Sequence, residues 1–355
     1  MSRALSSAQG PDQRLRGGLL EAIEARDTAV LARAISVVEN EREGFERVLA
    51  QIYGRLGKGH ARRIGITGPP GAGKSTLTDR LIARFRGDDL RVGVVAVDPT
   101  SPFTGGALLG DRIRMESIEG DPNVFIRSMA TRGSRGGLAT TTEEVTDLLE
   151  AFGFDRILIE TVGVGQTELD VAASADTTVL VLVPEAGDGI QTLKAGVMEV
   201  ADVYVVNKSD RPGADRLRQE VEVMLGIRRG NVLRHATPHH AAGSPQAPTA
   251  SEGVWEPPVL ACTAVTGTGT DALVAALDAH DAYLRASGTL ERRRRERVAS
   301  RTRGVVERAL RRWAWSASGA EGIIAARLDD VMNGRCSPYD VAADVLRRVG
   351  AADAR

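Results

Sequence analysis

The chain has 355 residues, 42% hydrophobic and 26% charged, ordinary globular proportions with room for one large α/β core and smaller flanking elements. Forty-six basic residues stand against forty-seven acidic ones, a formal charge of −1 that provides no general attraction to nucleic acid or an anionic membrane. No stretch approaches the roughly 20 apolar residues of a membrane span, the amino end lacks an apolar signal core, and the only cysteines, Cys262 and Cys336, share no spacing motif, so a reducing cytoplasm is the expected setting.

The first dozen residues are small and polar and are expected to be disordered. From Arg14 to about Gly54 apolar residues recur at helical spacing (Leu19, Leu20 and Ile23; Val30, Leu31, Ala34, Ile35 and Val38; Phe45, Val48, Leu49 and Ile52), which predicts two or three amphipathic helices in an amino-terminal extension, residues 1–58. From Arg63 the pattern changes to short apolar runs: Ile64–Thr67, Val92–Asp98, Val124–Arg127, Arg156–Glu160, Thr178–Pro184, Val203–Asn207 and Val259–Thr263. Several are continuous in β-branched residues, as strands buried on both faces of a mostly parallel sheet must be. Helical stretches such as Thr76–Phe85, Thr142–Phe152 and Thr192–Val200 lie between them, so residues 59–287 read as a doubly wound α/β domain with its ligand at the carboxyl ends of the strands. His235–Glu252, rich in Pro, Ala, Ser and Gly, reads as a surface insertion. Residues 288–355 lack strand signals and form a helical arm: a long helix over Thr289–Trp315, then two more separated by Asn333-Gly334 and Ser337-Pro338.

Gly68-Pro69-Pro70-Gly71-Ala72-Gly73-Lys74-Ser75 fits a phosphate-binding loop, with a strand before it and a helix, opening near Thr76, after it. Glycines let successive backbone N–H groups turn inward to phosphate oxygens at the positive end of the helix. Lys74 supplies a mobile charge for the β- and γ-phosphates, and the Ser75 hydroxyl is placed for Mg²⁺. Asn207-Lys208-Ser209-Asp210 fits a guanine-recognition motif. The Asp210 carboxylate can accept from N1–H and the 2-amino group of guanine, and would be left unpaired by adenine, at a cost of about 1–3 kcal/mol. Backbone groups of Thr263, Ala264 and Val265, closing the last strand, are expected to reach the guanine carbonyl. Glu160, Asp98 and Asp111 are candidate magnesium and catalytic carboxylates, and Gly163 would bring an N–H to the γ-phosphate. Where small switch GTPases carry a water-positioning Gln, this chain has Val164, with Gln166 two residues on; slow hydrolysis completed by a partner is the expectation.

Other polar clusters read blandly. His235, His239 and His240 could hold a metal by spacing, but their Pro/Ala-rich setting favours a solvated loop. Arg292–Arg295, framed by Glu291 and Glu296, reads as a solvated helix face, and Cys262 as a small core residue.

Together GPPGAGKST, VDPTSPFTGGALLGDRIRM, RSMATRGSRGG, ETVGVGQTE, PEAGDGIQTLKAG and VVNKSD resemble the methylmalonyl-CoA mutase-associated G-protein chaperones, a family also labelled as arginine/ornithine transport ATPases or kinases. The likeness runs from about Arg14 to Val349. It implies a P-loop GTPase that dimerises through its carboxyl-terminal helices, uses Mg²⁺, and gates loading of adenosylcobalamin onto an acyl-CoA mutase while protecting it. Lys74, Asp98, Asp111 and Glu160 match the family's nucleotide and magnesium positions, and Asp188, Gln191 and Lys194 a partner-sensing switch loop. Two other functions share parts of this pattern. A nickel-enzyme maturation GTPase would be expected to carry a Cys- or His-rich amino end, and a kinase of a transport protein would need an acceptor site; neither feature stands in the sequence.

Overall fold

The computed structural model describes residues 11–57, 61–98, 120–130, 137–161, 167–184, 195–228 and 254–352. In chain order the elements are α1 (Pro11–Glu24), α2 (Thr28–Glu39), α3 (Phe45–Tyr53), β1 (Arg62–Thr67), α4 (Lys74–Gly87), β2 (Val92–Asp98), β3 (Val124–Ala130), α5 (Gly137–Ala151), β4 (Arg156–Thr161), α6 (Thr167–Ser174), β5 (Thr177–Leu182), α7 (Ala195–Val200), β6 (Val203–Val206), α8 (Ala214–Arg228), β7 (Val259–Ala261), α9 (Thr270–Ala286), α10 (Thr289–Ser318), α11 (Ala320–Met332) and α12 (Pro338–Ala352). All seven expected strands form. Helix α1 opens at Pro11, inside the stretch expected to be disordered; proline suits the first helical position because its missing N–H has no intrahelical acceptor to meet.

The strands make one parallel sheet in the order β3-β2-β4-β1-β5-β6-β7. Alternation along each strand divides its side chains between two layers. Val92 and Val94 of β2, Leu158 of β4 and Val179 and Val181 of β5 pack with α4 and α9. Val95, Val97, Ile157 and Ile159 face the other way, onto α5 and the amino-terminal helices, while Leu180, Leu182, Tyr204 and Val206 pack with α8 on Leu217 and Val221. Because both faces are covered, the strands must be apolar throughout, and that is why their sequence runs are unbroken. Asp27 caps α2 by accepting from the N–H groups of Ala29 and Val30.

The amino ends of the strands carry a buried ionic cluster. Arg63 of β1 donates to Asp147 (2.6 Å) and Glu150 (2.8 Å) of α5, and Asp176 accepts from the Arg63 backbone N–H (3.2 Å). Asp176 also pairs with Arg294 (2.9 Å), and Asp202 with Arg293 (3.0 Å), both in the first turns of α10. The solvated face expected for Arg292–Arg295 is therefore corrected for its middle pair. Asp176 and Asp202, each one residue ahead of a strand, draw Arg293 and Arg294 inward. His280 packs against Trp255 with the rings tilted (4.6 Å between centroids, 50° between planes) and meets Thr177 Oγ1 at 2.8 Å; burial holds its pKa below the usual histidine value, against the opposing pull of Asp202.

The chain divides into two compact units, Met1–Arg294 and Arg295–Arg355. In the second, the end of α10 packs with α11 and α12 around a groove of ≈ 540 Å³ lined by Trp315, Ile324, Leu328, Val331, Val341 and Leu346. Met332 and Tyr339 are exposed in the same unit.

Candidate functional site

β1 lies where the sheet order turns, with β4 on one side and β5 on the other, so the crevice at its carboxyl end is the expected ligand position for this architecture. The loop 68–73 leaves there. Gly68 has φ 141°, and a Cβ at that position would stand 2.1 Å from Val181 O; only glycine lets the loop pass so close to β5. At the other end Gly73 has φ 83°, and a Cβ there would stand 2.4 Å from Asn207 Nδ2. Glycine at position 73 thus makes room for the side chain that ties three segments together. Asn207 Nδ2 donates to Ala72 O (2.8 Å), and Asn207 Oδ1 accepts from Ala264 N–H (3.0 Å).

That pair of bonds brings the two sequence motifs and the loop after β7 into one site. The chain leaves β6 through Lys208 in the left-handed region (φ 56°), a conformation uncommon for a residue with a side chain. Ser209 N–H then donates to Cys262 O (3.0 Å), Ser209 Oγ lies 2.9 Å from Thr263 Oγ1, and Thr263 Oγ1 lies 3.4 Å from Asp210 Oδ1, with Asp210 exposed. Cys262 is fully buried beneath this turn, and burial pushes its thiol up to about 12, consistent with a small inert core residue.

Lys74 begins α4 and is 5% exposed; its Nζ donates to Gly68 O (2.9 Å) and Pro69 O (3.0 Å), which hold the ammonium over the loop. Ser75 Oγ donates to Glu160 Oε1 (2.6 Å), and Thr78 Oγ1 donates to Glu160 Oε2 (2.9 Å). Glu160 is 2% exposed, so both carboxylate oxygens are fixed by hydroxyls from the first turns of α4. Asp98 ends β2, whose Val97 is in register with Thr161, immediately after Glu160. The oxygen set suits Mg²⁺, which takes one or two protein oxygens and completes its shell with water and phosphate. Among the described residues no cluster of three or more His, Cys, Asp or Glu stands ready to enclose a metal.

The structure thus assembles Gly68, Pro69, Pro70, Gly71, Ala72, Gly73, Lys74, Ser75, Glu160, Asn207, Lys208, Asp210, Thr263, Ala264 and Val265 around one crevice, with Thr76 on the first turn of α4. Asp111, Gly163, Asp188, Gln191, Lys194 and the three histidines of the insertion lie outside the described residues. The motif reading missed two side chains. Thr78 stands three residues beyond Ser75, a spacing that places both hydroxyls on one face of a helix and could have exposed its role. Arg80, which donates through Nε to Ala264 O (2.9 Å), carries no such mark, because its partner is 184 positions away.

Comparison with known proteins supplies an independent line. The family model described as methylmalonyl Co-A mutase-associated GTPase MeaB matches residues 31–319. A protein of Pyrococcus horikoshii that carries a GTPase name is 42% identical over 332 residues, covering 93% of this chain and 97% of its own length. The GTPase ArgK of Escherichia coli is 34% identical, with 76% of this chain and 77% of the relative covered. A mouse protein named methylmalonic aciduria type A homolog, mitochondrial, is 43% identical over 56% of this chain and 51% of its own. Among solved structures, one described as an LAO/AO transport system kinase superposes with TM-score 0.63 at 26% identity, covering 95% of this chain and 98% of that one.

Proposed function

This chain belongs to the MeaB family of methylmalonyl-CoA mutase-associated GTPases, and we propose that it serves as a nucleotide-switched chaperone of an adenosylcobalamin-dependent acyl-CoA mutase in the cytoplasm. It is a P-loop GTPase that converts GTP to GDP and phosphate. In the proposed cycle, the GTP and GDP states bind the mutase differently, and hydrolysis times the loading of the cofactor onto the mutase and its protection. The family match supports the mutase as partner. The observation that carries the switch site is the Asn207 amide, bonded to the phosphate-loop motif on one side and to the loop after β7 on the other.

Within that site residues 68–76 would cradle the phosphates, with Lys74 donating to the β- and γ-phosphate oxygens. Asp210, Asn207 and Lys208 would hold the base with the loop 263–265, although the N–H groups of Thr263 and Ala264, expected to reach the guanine carbonyl, are already bonded to Thr268 O and Asn207 Oδ1. Ser75, oriented by Glu160, would hold Mg²⁺ together with Asp98 and Asp111, the metal neutralising charge on the phosphate oxygens. Gly163 would approach the γ-phosphate, and the segment bearing Asp188, Gln191 and Lys194 would sense the partner. The apolar groove and exposed Met332 and Tyr339 of the carboxyl-terminal unit support a homodimer through residues 288–355.

Two measurements test this reading. Asp210→Asn replaces one of two acceptor oxygens with a donor, so the preference for GTP over ATP should narrow by roughly 10–100-fold in kcat/KM; an unchanged preference removes Asp210 from base recognition. Affinity capture from the source cell, with GDP and a non-hydrolysable GTP analogue compared, should recover an acyl-CoA mutase in amounts that depend on the nucleotide. Recovery of no mutase, or of equal amounts in every nucleotide state, overturns the chaperone assignment.

A further inference from the structure

The loop after β7 brings three backbone N–H groups to the base side of the crevice, and two are already committed. Thr263 N–H donates to Thr268 O (2.9 Å) and Ala264 N–H to Asn207 Oδ1 (3.0 Å), whereas the Val265 N–H has no partner among the described residues. Its direction is set by a side chain from another element. Arg80, one and a half turns beyond Ser75 on α4, donates through Nε to Ala264 O (2.9 Å) and through Nη2 to Val265 O. A trans peptide is planar, so the Ala264 carbonyl and the Val265 N–H form one rigid unit and point in opposite directions. Pinning Ala264 O toward α4 therefore turns the Val265 N–H away from it. The same loop is fixed from the other side by the contact of Thr263 Oγ1 with Ser209 and Asp210.

We propose that Arg80 is a positioning residue for base selection: it holds the 264–265 peptide so that the Val265 N–H donates to the 6-oxygen of guanine. The inference rests on the base site proposed above, where Asp210 reads N1–H and the 2-amino group. Guanine presents an acceptor at position 6 and adenine a donor, so an N–H locked in direction favours one and opposes the other. A charged guanidinium makes stronger bonds to carbonyls than a neutral donor would, and its rigid fork spans two successive oxygens. Arg84, one turn further along α4, provides an internal control. It pairs with Asp271 of α9 (2.9 Å), and so ties α4 to the helix that follows the loop without touching the 264–265 peptide.

Binding of GDP and of 6-thio-GDP separates direction from mere support. The thio analogue keeps N1–H and the 2-amino group but carries sulfur, a weak acceptor, at position 6. In Arg80→Ala, GDP affinity should fall by about 3–10-fold, the worth of one net hydrogen bond, while 6-thio-GDP affinity changes by less than about twofold. The preference for the oxo base then collapses. Asp210→Asn should weaken both ligands together, and Arg84→Ala neither. Equal losses for both ligands in Arg80→Ala would show that Arg80 only supports the loop, and no loss for either would show that it does nothing for the base; each result overturns the inference. If Arg80→Ala does not fold, Arg80→Lys, which can reach one carbonyl and not two, gives the same comparison with a smaller collapse. Should the wild-type chain bind GDP and ADP equally, the base site itself fails, an outcome distinct from a failure confined to Arg80.

Discussion

Lys74→Ala is expected to lower GTP turnover by roughly 10²–10³-fold, the loss that follows removal of one preorganised electrostatic donor from a phosphate or oxyanion site. Lys74 is nearly buried, and its ammonium is held by Gly68 O and Pro69 O, so the charge is already placed at the mouth of the loop. Little reorganisation is then needed when negative charge grows on the transferring phosphoryl group. Lys74→Arg should not restore the rate, because a planar guanidinium is bulkier than an ammonium and cannot occupy the same two-carbonyl seat. Phosphate release under saturating GTP checks the rate, and GDP binding by the variant checks that the loop survives. A rate within threefold of wild type would remove Lys74 from the reaction.

The fold was legible because its strands are buried on both sides. Val92 and Val94 serve one layer while Val95 and Val97 serve the other, so the whole run is apolar and stands out from its flanks. The phosphate loop and Asn207–Asp210 were legible for a different reason. Each sits where a strand ends, and the chemistry of phosphate or base restricts residue types over a few consecutive positions. Asn207 shows the limit of such reading. Its motif predicts that it belongs to the site, but its bonds to Ala72 O and Ala264 N–H are properties of the assembled sheet, in which β6 has come within reach of the loop that leaves β1.

What the sequence concealed lies mostly in arginine. A long, flexible cation can satisfy either solvent or a distant carboxylate, and composition does not distinguish them. Arg293 and Arg294 sit in a run of four arginines that looks like a wet helix face, but Asp202 and Asp176 lie 91 and 118 positions away. Arg80 is equally mute, since it binds backbone carbonyls whose residue types, Ala and Val, carry no polar signal. Helical periodicity was clearest in the amino-terminal helices, where Leu31, Ile35 and Val38 recur on one buried face of α2. It was weaker in α8, where buried Leu217 and Val221 are interleaved with charged residues such as Arg216 and Arg218.

Arg63→Met is expected to destabilise the first unit by about 3–5 kcal/mol, the range found when one partner of a buried ion pair is removed. Arg63 is 8% exposed and lies between Asp147 and Glu150 on α5 and Asp176 before β5. Desolvation alone would lower its pKa, yet the surrounding carboxylates raise it, so the folded state binds this proton more tightly than the unfolded state does. A group whose folded pKa is raised contributes its full stability below the unfolded value and loses it only as pH rises through the folded one. Both values lie far above neutrality for arginine, so the gap between wild type and variant should stay level from about pH 6 to pH 9 as far as Arg63 is concerned. Arg63→Lys should fall between the two, since one ammonium cannot reproduce the bonds to Asp147, Glu150 and Thr146 Oγ1 together. Urea midpoints followed by tryptophan fluorescence measure the loss, because Trp255 reports on the same end of the sheet through its bond to Asp202 O. An unfolding free energy within about 1 kcal/mol of wild type would mean that solvent takes the place of Arg63 beside the carboxylates. In that case the cluster would not be what ties α5 and the start of α10 to the amino ends of the strands, the ends opposite those that carry the nucleotide crevice.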